Sequence, residues 1–449
     1  MNIKIIKKTK VKELYKISNK IRNFLIESIS KTGGHIGANL STIELIISLH
    51  KVFNSPKDKF IFDTGHQGYT HKILTKRQNK FKSLNQFKGM SRFLSTKESK
   101  HDIIDASHAG TAISIATGLA ISNSRKNSFY TIAIVGDGTM VEGMNFEGLN
   151  FASEKSNKLI IILNDNEMAI DKSVGGFKSL TTGLNWKTKS KNFFHGLNLN
   201  YLSVNDGHNI EKIVNALKKA KKSKKTSLIH LKTEKGKGLP IAKTHKYKMH
   251  FSVPFNPNTG EGANPTIKGK TMSMVAAKEL NNIMKKNNKT YIITPATPYA
   301  SHLEEIKPHY KNRIIDVGMA EQHAVGYSCG LALRGLKPIL CIQSTFLQRA
   351  YDQLIHDVSY MNSDVLILSS RSGFSGFDSA THHGIFDLSY LNTIPNLNIF
   401  YPKDERTLKL IMNKKISKKN KEPSIILLPY DPIEKDLTFD NKFLLKKKK

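Results

Sequence analysis

An α/β architecture of two doubly wound parallel sheets in succession is what the sequence predicts. Three observations carry it. Short apolar runs alternate with helix-compatible segments along the chain, the alternation that argues for parallel sheets. Residues 131–168 read as one βαβ unit, with a strand Thr131 to Val135, a helix from about Val141 to Glu154 and a strand Leu159 to Leu163. A crossover of that length is right-handed and makes its two strands parallel. Finally, FNPNTGEGANPTIKGK, residues 255–270, has no apolar period and is rich in Pro, Gly, Asn and Thr. It reads as a linker between a first domain, 1–254, and a second, 271–432, with 433–449 a basic tail.

Taken in order, residues 1–30 repeat Ile17, Ile21, Phe24, Leu25 and Ile29 at helical spacing. A Gly-rich turn around His35 then leads into a helix, with Ser41 or Thr42 as N-cap and Glu44 near its first turn. KFIFDTGHQGYTHKIL gives a strand ending at Asp63, a turn bearing His66 and a helix start; DIIDASHAGTAISIATGLAIS repeats that logic around His108. Polar residues 171–200 read as a mobile loop beside the site. LSVNDGHNIEKIVNALKKAKK and TSLIHLKTEKGKG supply strand, helix and strand to finish the first sheet. The second domain begins near Met272. It holds a strand ending in Asp316-Val317-Gly318 with a helix opening near Glu321, then KPILCIQ with its helix, DVLILSS, LNIFYPKDERTLKLI and PSIILLPY.

Composition bounds the function. The 449 residues suffice for two or three domains, and 39% hydrophobic residues is ordinary for a globular protein. No apolar run reaches 18 residues, so no membrane span is expected, and the N-terminus lacks the pattern of a secretory signal. Cys329 and Cys341, the two cysteines, lie in apolar segments and read as buried reduced thiols of a cytoplasmic protein. The net charge of +34 could draw anionic ligands. Its lysines, however, are scattered, and the runs at 217–225, 414–421 and 446–449 read as solvated faces and a tail. No specific nucleic-acid binding is expected.

The chemistry centres on two turns. Parallel neighbours place Asp137, in Gly136-Asp137-Gly138, and Asn166, in Asn164-Asp165-Asn166, at adjacent carboxyl ends, where open α/β sheets bind ligands. A carboxylate and an amide oxygen side by side suit a hard cation such as Mg²⁺ that also holds diphosphate oxygens. The histidine-bearing turns at His35, His66 and His108 precede them, and imidazoles converging on one sheet edge suit proton transfer near neutral pH.

These two turns, with GGHIGANLSTIEL, DTGHQGYTHKIL, SHAGTAISIATGLA, DVGMAEQHAVGYSCGLAL, STFLQRAYDQLIHDV and THHGIFDLSYL, run in order over roughly residues 15–410. Together they resemble the 1-deoxy-D-xylulose-5-phosphate synthases, a branch of the transketolase group of thiamine diphosphate enzymes. The resemblance implies two thiamine diphosphate-binding domains, the first for diphosphate and Mg²⁺, the second for the aminopyrimidine. It implies a homodimeric transferase, of isoprenoid and thiamine biosynthesis, that decarboxylates pyruvate and passes the two-carbon unit to an aldehyde, glyceraldehyde 3-phosphate in the family. Residue by residue, it assigns Mg²⁺ to Asp137, Asn166 and the Met168 carbonyl. It assigns the cofactor to Gly136, Asp137, Gly138, Asn166, Met168, His66, Ser107, Ala109, Glu321 and Phe346. By the same resemblance Glu321 is expected to face a pyrimidine nitrogen and Phe346 to pack on that ring, His35, His66 and His382 to be catalytic, and His250, Arg349, Arg371 and Asp378 to meet substrate.

The chain also departs from that family. After PSIILLPY only DPIEKDLTFDNKFLLKKKK follows, so the third domain is expected to be absent, its place taken by the dimer or by a separate C-terminal-domain chain. The region 171–200 is shorter than in the family. Gln343 stands where the family has a tyrosine before the STF triplet, and LPYD, around Tyr430, where it has an arginine. Both family residues hold the acceptor phosphate, so an unphosphorylated or nucleotide-linked sugar acceptor is the alternative reading, and a non-catalytic paralogue another.

Overall fold

The computed structural model describes residues 1–122, 128–155, 158–264, 269–375, 380–417 and 422–433. Two wholly parallel sheets organise them. The first holds β1 (Lys59–Phe62), β2 (Thr131–Gly136), β3 (Leu159–Asp165), β4 (Asn200–Val204) and β5 (Ser227–Lys232) in the order β1-β2-β3-β5-β4. The second holds β6 (Thr290–Thr294), β7 (Ile314–Asp316), β8 (Lys337–Gln343), β9 (Leu366–Ser372), β10 (Asn398–Phe400) and β11 (Ser424–Pro429) in the order β10-β11-β9-β8-β6-β7.

Side-chain alternation explains why helices cover both faces. Ile132, Ile134, Ile160 and Ile162 join the core under helices Leu14–Thr32 and Ile36–Val52. Their neighbours Ala133, Val135, Ile161 and Leu163 join a separate core with Ala112, Ala116 and Leu149. Strands buried on both faces read as near-continuous apolar runs, as β2 and β3 do. In the second sheet Ile339, Cys341, Leu366 and Leu368 face one core and Leu340, Ile342 and Ile367 the other. Both cysteines are buried and free, as expected.

The crossover between β2 and β3 is broken into Asp137–Met140 and Gly143–Lys155, so Asp137 itself opens a helical turn. Other details differ from expectation. The helix after His35 begins at Ile36 with His35 at its N-cap, so Ser41 and Thr42 lie inside it. Both hydroxyls are satisfied by backbone carbonyls one turn back, Ser41 at Ala38 and Thr42 at Asn39, a bond that competes with capping. Residues 171–200 are not a loop: they hold helices Gly175–Thr181 and Trp186–Gly196, seated by buried Ser190 and Phe194. Residues 103–111, before helix Ala112–Ile121, contain no strand. The strand Thr290–Thr294 was not foreseen, yet it lies between β7 and β8.

The halves meet edge to edge. His108 Nε2 donates to the Thr381 carbonyl at 3.0 Å, Thr381 Oγ1 to Ser107 Oγ at 2.6 Å, and Arg349 pairs with Glu142 at 3.0 Å. On the far side Lys246 pairs with Glu304 at 2.5 Å, and the Tyr247 hydroxyl donates to the same carboxylate.

Candidate active site

A cavity of about 640 Å³ opens between the two sheets' carboxyl edges. It is lined from the first half by His35, His66, Ser107, Ala109, Gly136, Asp137, Gly138, Asn166, Met168 and His250, and from the second by Glu321, Phe346, Arg349, Arg371 and His382. Asp378 lies outside the described residues. Every other residue that the resemblance assigns to the site borders this one space, whereas His108, on the third histidine-bearing turn, does not line it and bonds the Thr381 carbonyl instead.

At the first sheet's end, Asp137 is buried, with Oδ2 accepting from Ser173 Oγ at 2.7 Å and Oδ1 from the Asn166 amide at 3.4 Å. Burial, and then Asp165 beside it, push its carboxyl up. Asn166 Oδ1 is buried with no partner among the described residues. A buried carboxyl beside an orphan amide oxygen is a donor set for an oxygen-loving cation. No cluster of three His, Cys, Asp or Glu that could hold a metal occurs among the described residues, so Mg²⁺ here would rest on Asp137, Asn166, the Met168 carbonyl and ligand oxygens. The neighbouring Asp165 is used otherwise: it accepts from His230 Nε2 at 2.7 Å and pairs with Lys232 at 2.8 Å, which holds its carboxyl low despite burial.

Three imidazoles form the middle of the cavity. His35, His66 and His250 stand with ring centroids 5.3–5.5 Å apart, and each has a buried Nδ1 without a partner among the described residues. Burial drives all three well below the usual histidine range, His66 to about 3. They stand neutral at pH 7, able to accept or shuttle a proton. Asn39 fixes two of them: its Nδ2 donates to the His35 and His66 carbonyls at 2.8 and 2.7 Å, and its Oδ1 accepts from the Tyr69 amide. Gly37 explains how His250 arrives, because a Cβ there would lie 2.1 Å from the Lys248 carbonyl. Across the cavity His382 stacks on Phe93 at 5.6 Å, and Phe93 lies 5.5 Å from His35.

At the second sheet's edge Glu321 opens helix Glu321–Leu333 and is buried, with Oε2 unpartnered among the described residues. Burial pushes its carboxyl up to about 7, so near neutrality it is poised between its protonated and ionised forms. Above the unfolded value near 4.5 the native state holds that proton more tightly, so its stability is lost as pH rises through about 7. The Glu321→Gln protein, without cofactor, should therefore melt higher than wild type at pH 8, by on the order of 1–3 kcal/mol, with the gap closing towards pH 5. Thermal melts across that range check it; a gap that widens on acidification would contradict the assignment.

Phe346 lies 5.6 Å from His382 and 5.3 Å from His108, its ring at the cavity wall. Arg349 is engaged: it pairs with Glu142 and donates to the Ala109 carbonyl, so its first duty is to join the halves. Arg371, at φ +61°, lies 5.2 Å over the Tyr430 ring, and Gln343, buried at the end of β8, lines the same outer region with Tyr299 and His302.

Sequence reasoning missed Lys235. It is buried, donates to the Ala169 carbonyl at 2.6 Å, and burial lowers its amine to about 7 against the pull of Asp137. Among 70 lysines and arginines nothing in its sequence context marks it; only TEKGKG at a strand's carboxyl end hinted at a ligand loop. Asn39 and Glu142 were missed too, since their roles rest on partners distant in sequence.

Comparison with known proteins finds relatives along most of the chain. The family described as 1-deoxy-D-xylulose-5-phosphate synthase matches residues 1–192 and 180–233, and the transketolase pyrimidine binding domain matches residues 268–432. Among curated relatives, the 1-deoxy-D-xylulose-5-phosphate synthase of Listeria monocytogenes serotype 4b is 43% identical over 417 residues, covering 91% of this chain and 68% of the relative. That of Bacillus velezensis is 39% identical over 448 residues, covering 91% and 71%. Among solved structures, transketolases from Leishmania mexicana and Campylobacter jejuni align with TM-scores of 0.47 at 16% and 19% identity, covering 94% and 98% of this chain and 77% and 81% of theirs.

Proposed function

The chain belongs to the 1-deoxy-D-xylulose-5-phosphate synthase family, and from that premise we propose that it decarboxylates pyruvate and joins the two-carbon unit to an aldehyde, using thiamine diphosphate and Mg²⁺. The observation that carries this is the meeting, across one cavity, of Asp137 and Asn166 with Glu321 and Phe346. When bound, thiamine diphosphate supplies the electron sink next to the reacting carbonyl carbon. Asp137, Asn166 and the Met168 carbonyl hold the metal, and Lys235 meets diphosphate charge. Glu321 presents its proton to a pyrimidine nitrogen, and Phe346 offers a ring face. His35, His66, His250 and His382 line the reacting centre, where imidazoles, those of His35, His66 and His250 neutral, move protons and donate to a developing alkoxide. Arg349 and Arg371 orient substrate.

We divide the chain into 1–254, a linker 255–270, 271–432 and a tail, in keeping with where the two sheets fall. A homodimer fits the apolar surface of Ile121, Phe146 and Phe151, each 37–50% exposed. A cytoplasmic setting fits the two reduced thiols. Among the described residues no helix is long and apolar enough to cross a membrane. The chain spans about 70% of the length of its relatives, and a separate chain that supplies the remainder stays part of this reading.

A second reading concerns the acceptor. Gln343 and Tyr430 border the outer cavity where the family uses a tyrosine and an arginine, and Arg371 lies against Tyr430. A charge-assisted hydrogen bond to phosphate contributes about 1.5–3 kcal/mol, so losing one weakens a phosphorylated acceptor by roughly ten- to a hundredfold. Incubation with pyruvate and a panel of aldehydes, followed by mass spectrometry, tests both readings. The expected outcome is pyruvate-dependent condensation with unphosphorylated or nucleotide-linked sugar aldehydes and slow turnover of glyceraldehyde 3-phosphate. Turnover of that triose at family-like rates overturns the second reading alone, and no product with any aldehyde favours the non-catalytic paralogue.

A further inference from the structure

The loop that carries Lys235 is gripped at three points. His208 Nε2 accepts from the Glu234 amide at 2.9 Å, and the Arg22 guanidinium donates to the Lys237 carbonyl at 2.7 Å. Between them the Gly236 amide donates to the Gly37 carbonyl at 2.9 Å. The two outer grips converge on one carboxylate. Glu44 Oε2 accepts from His208 Nδ1 at 2.9 Å, and Glu44 Oε1 from Arg22 Nη2 at 2.5 Å. Both ends of the imidazole are thus specified: a carboxylate requires the proton on Nδ1, and a backbone amide requires the lone pair on Nε2. Gly238, at φ +81°, lets the loop lie flush, since a Cβ there would meet Arg22 Cδ at 2.4 Å. Glu44 and Arg22 are buried on helices Ile36–Val52 and Leu14–Thr32, and none of the three side chains borders the cavity.

We propose that Glu44, His208 and Arg22 are positioning residues that clamp the 234–237 loop on either side of Lys235 and so aim its amine at the diphosphate end of the cofactor. The inference rests on the assignment of Lys235 to diphosphate. The same Glu44 stands on the helix whose N-cap is His35, so one carboxylate sets the register between the loop and the imidazoles. A clamp of this kind acts on affinity, because a charged donor displaced by even an ångström loses its hydrogen-bond geometry.

A double-mutant cycle against Lys235→Met tests it, with calorimetric binding of Mg²⁺ plus inorganic diphosphate to the full chain as readout. In wild type, His208→Leu and Glu44→Gln should each weaken binding about tenfold; in Lys235→Met they should change it less than about twofold, since coupled residues are non-additive. His208→Gln, which keeps a donor and an acceptor, should stay within about threefold of wild type. Glu44→Gln keeps the side chain's shape should His208→Leu fail to fold. Equal weakening in both backgrounds would mean a general loss of structure and overturn the proposal, as would unchanged binding in wild type. If Lys235→Met alone binds diphosphate normally, the failure lies in the assignment of Lys235, and the clamp has nothing to aim.

Discussion

Glu321→Ala is expected to cost the largest share of activity: exchange of the C2 proton of bound thiamine diphosphate should slow by about 10²- to 10⁴-fold, the range that a positioned acid or base contributes. The expectation follows from three facts about one side chain. Glu321 is buried, its Oε2 has no partner among the described residues, and burial holds its proton up to about pH 7. A protonated carboxyl aimed into a cavity is a hydrogen-bond donor waiting for a ring nitrogen. Its position at the start of helix Glu321–Leu333 would ordinarily favour the anion; burial outweighs that. Glu321→Gln retains a donor but cannot yield a proton, so it should fall between the two. Quenched NMR of deuterium exchange checks the series, with circular dichroism to show the fold retained. Exchange at the wild-type rate in the alanine variant would make Glu321 a structural residue.

Asp137→Ala should weaken binding of Mg²⁺ and thiamine diphosphate by about 10²- to 10⁴-fold, as breaking a buried charge pair typically costs about 3–5 kcal/mol. Two losses combine. A ligand oxygen leaves the metal, and the buried amine of Lys235 loses the carboxylate that supports its charge. The Ser173 hydroxyl is also left without its acceptor. Asp137→Asn should recover little, because it restores the shape without the charge. Calorimetry at fixed Mg²⁺ reads the effect directly, and affinity within threefold of wild type would place the diphosphate elsewhere.

Much of this was legible in the sequence because it is local. The pattern of β2 and β3 fixes their pairing, and pairing brings Asp137 and Asn166 together whatever else the chain does. Glu321 and Phe346 each follow a strand of the second sheet. What was not legible depends on partners far along the chain. Strand Thr290–Thr294 is a short run in a polar, proline-flanked setting that only pairing with β7 and β8 stabilises. Residues 171–200 look polar, yet Trp186 packs on His230 at 4.7 Å and Phe194 on Tyr201 at 5.6 Å, contacts that turn an apparent loop into helices. Ser41 and Thr42 have the composition of a cap, but the helix had already started at Ile36, where the Gly-rich turn ends. Lys235 shows the same limit: burial and a neighbouring carboxylate, not residue type, set it apart.

The cavity between the two sheets has a thermodynamic consequence. Its metal-binding corner belongs to one sheet and its acid, Glu321, to the other, so a single ligand is gripped by both halves and adds to the contacts that already join them. Whatever binds there adds its binding free energy to the cohesion of the halves, rising with ligand concentration by mass action. The loaded chain is therefore expected to melt more cooperatively than the free chain, which calorimetry with and without ligand reads. Ligand supply, through this crevice, is then expected to bear on how tightly the unfolding of one half is tied to that of the other.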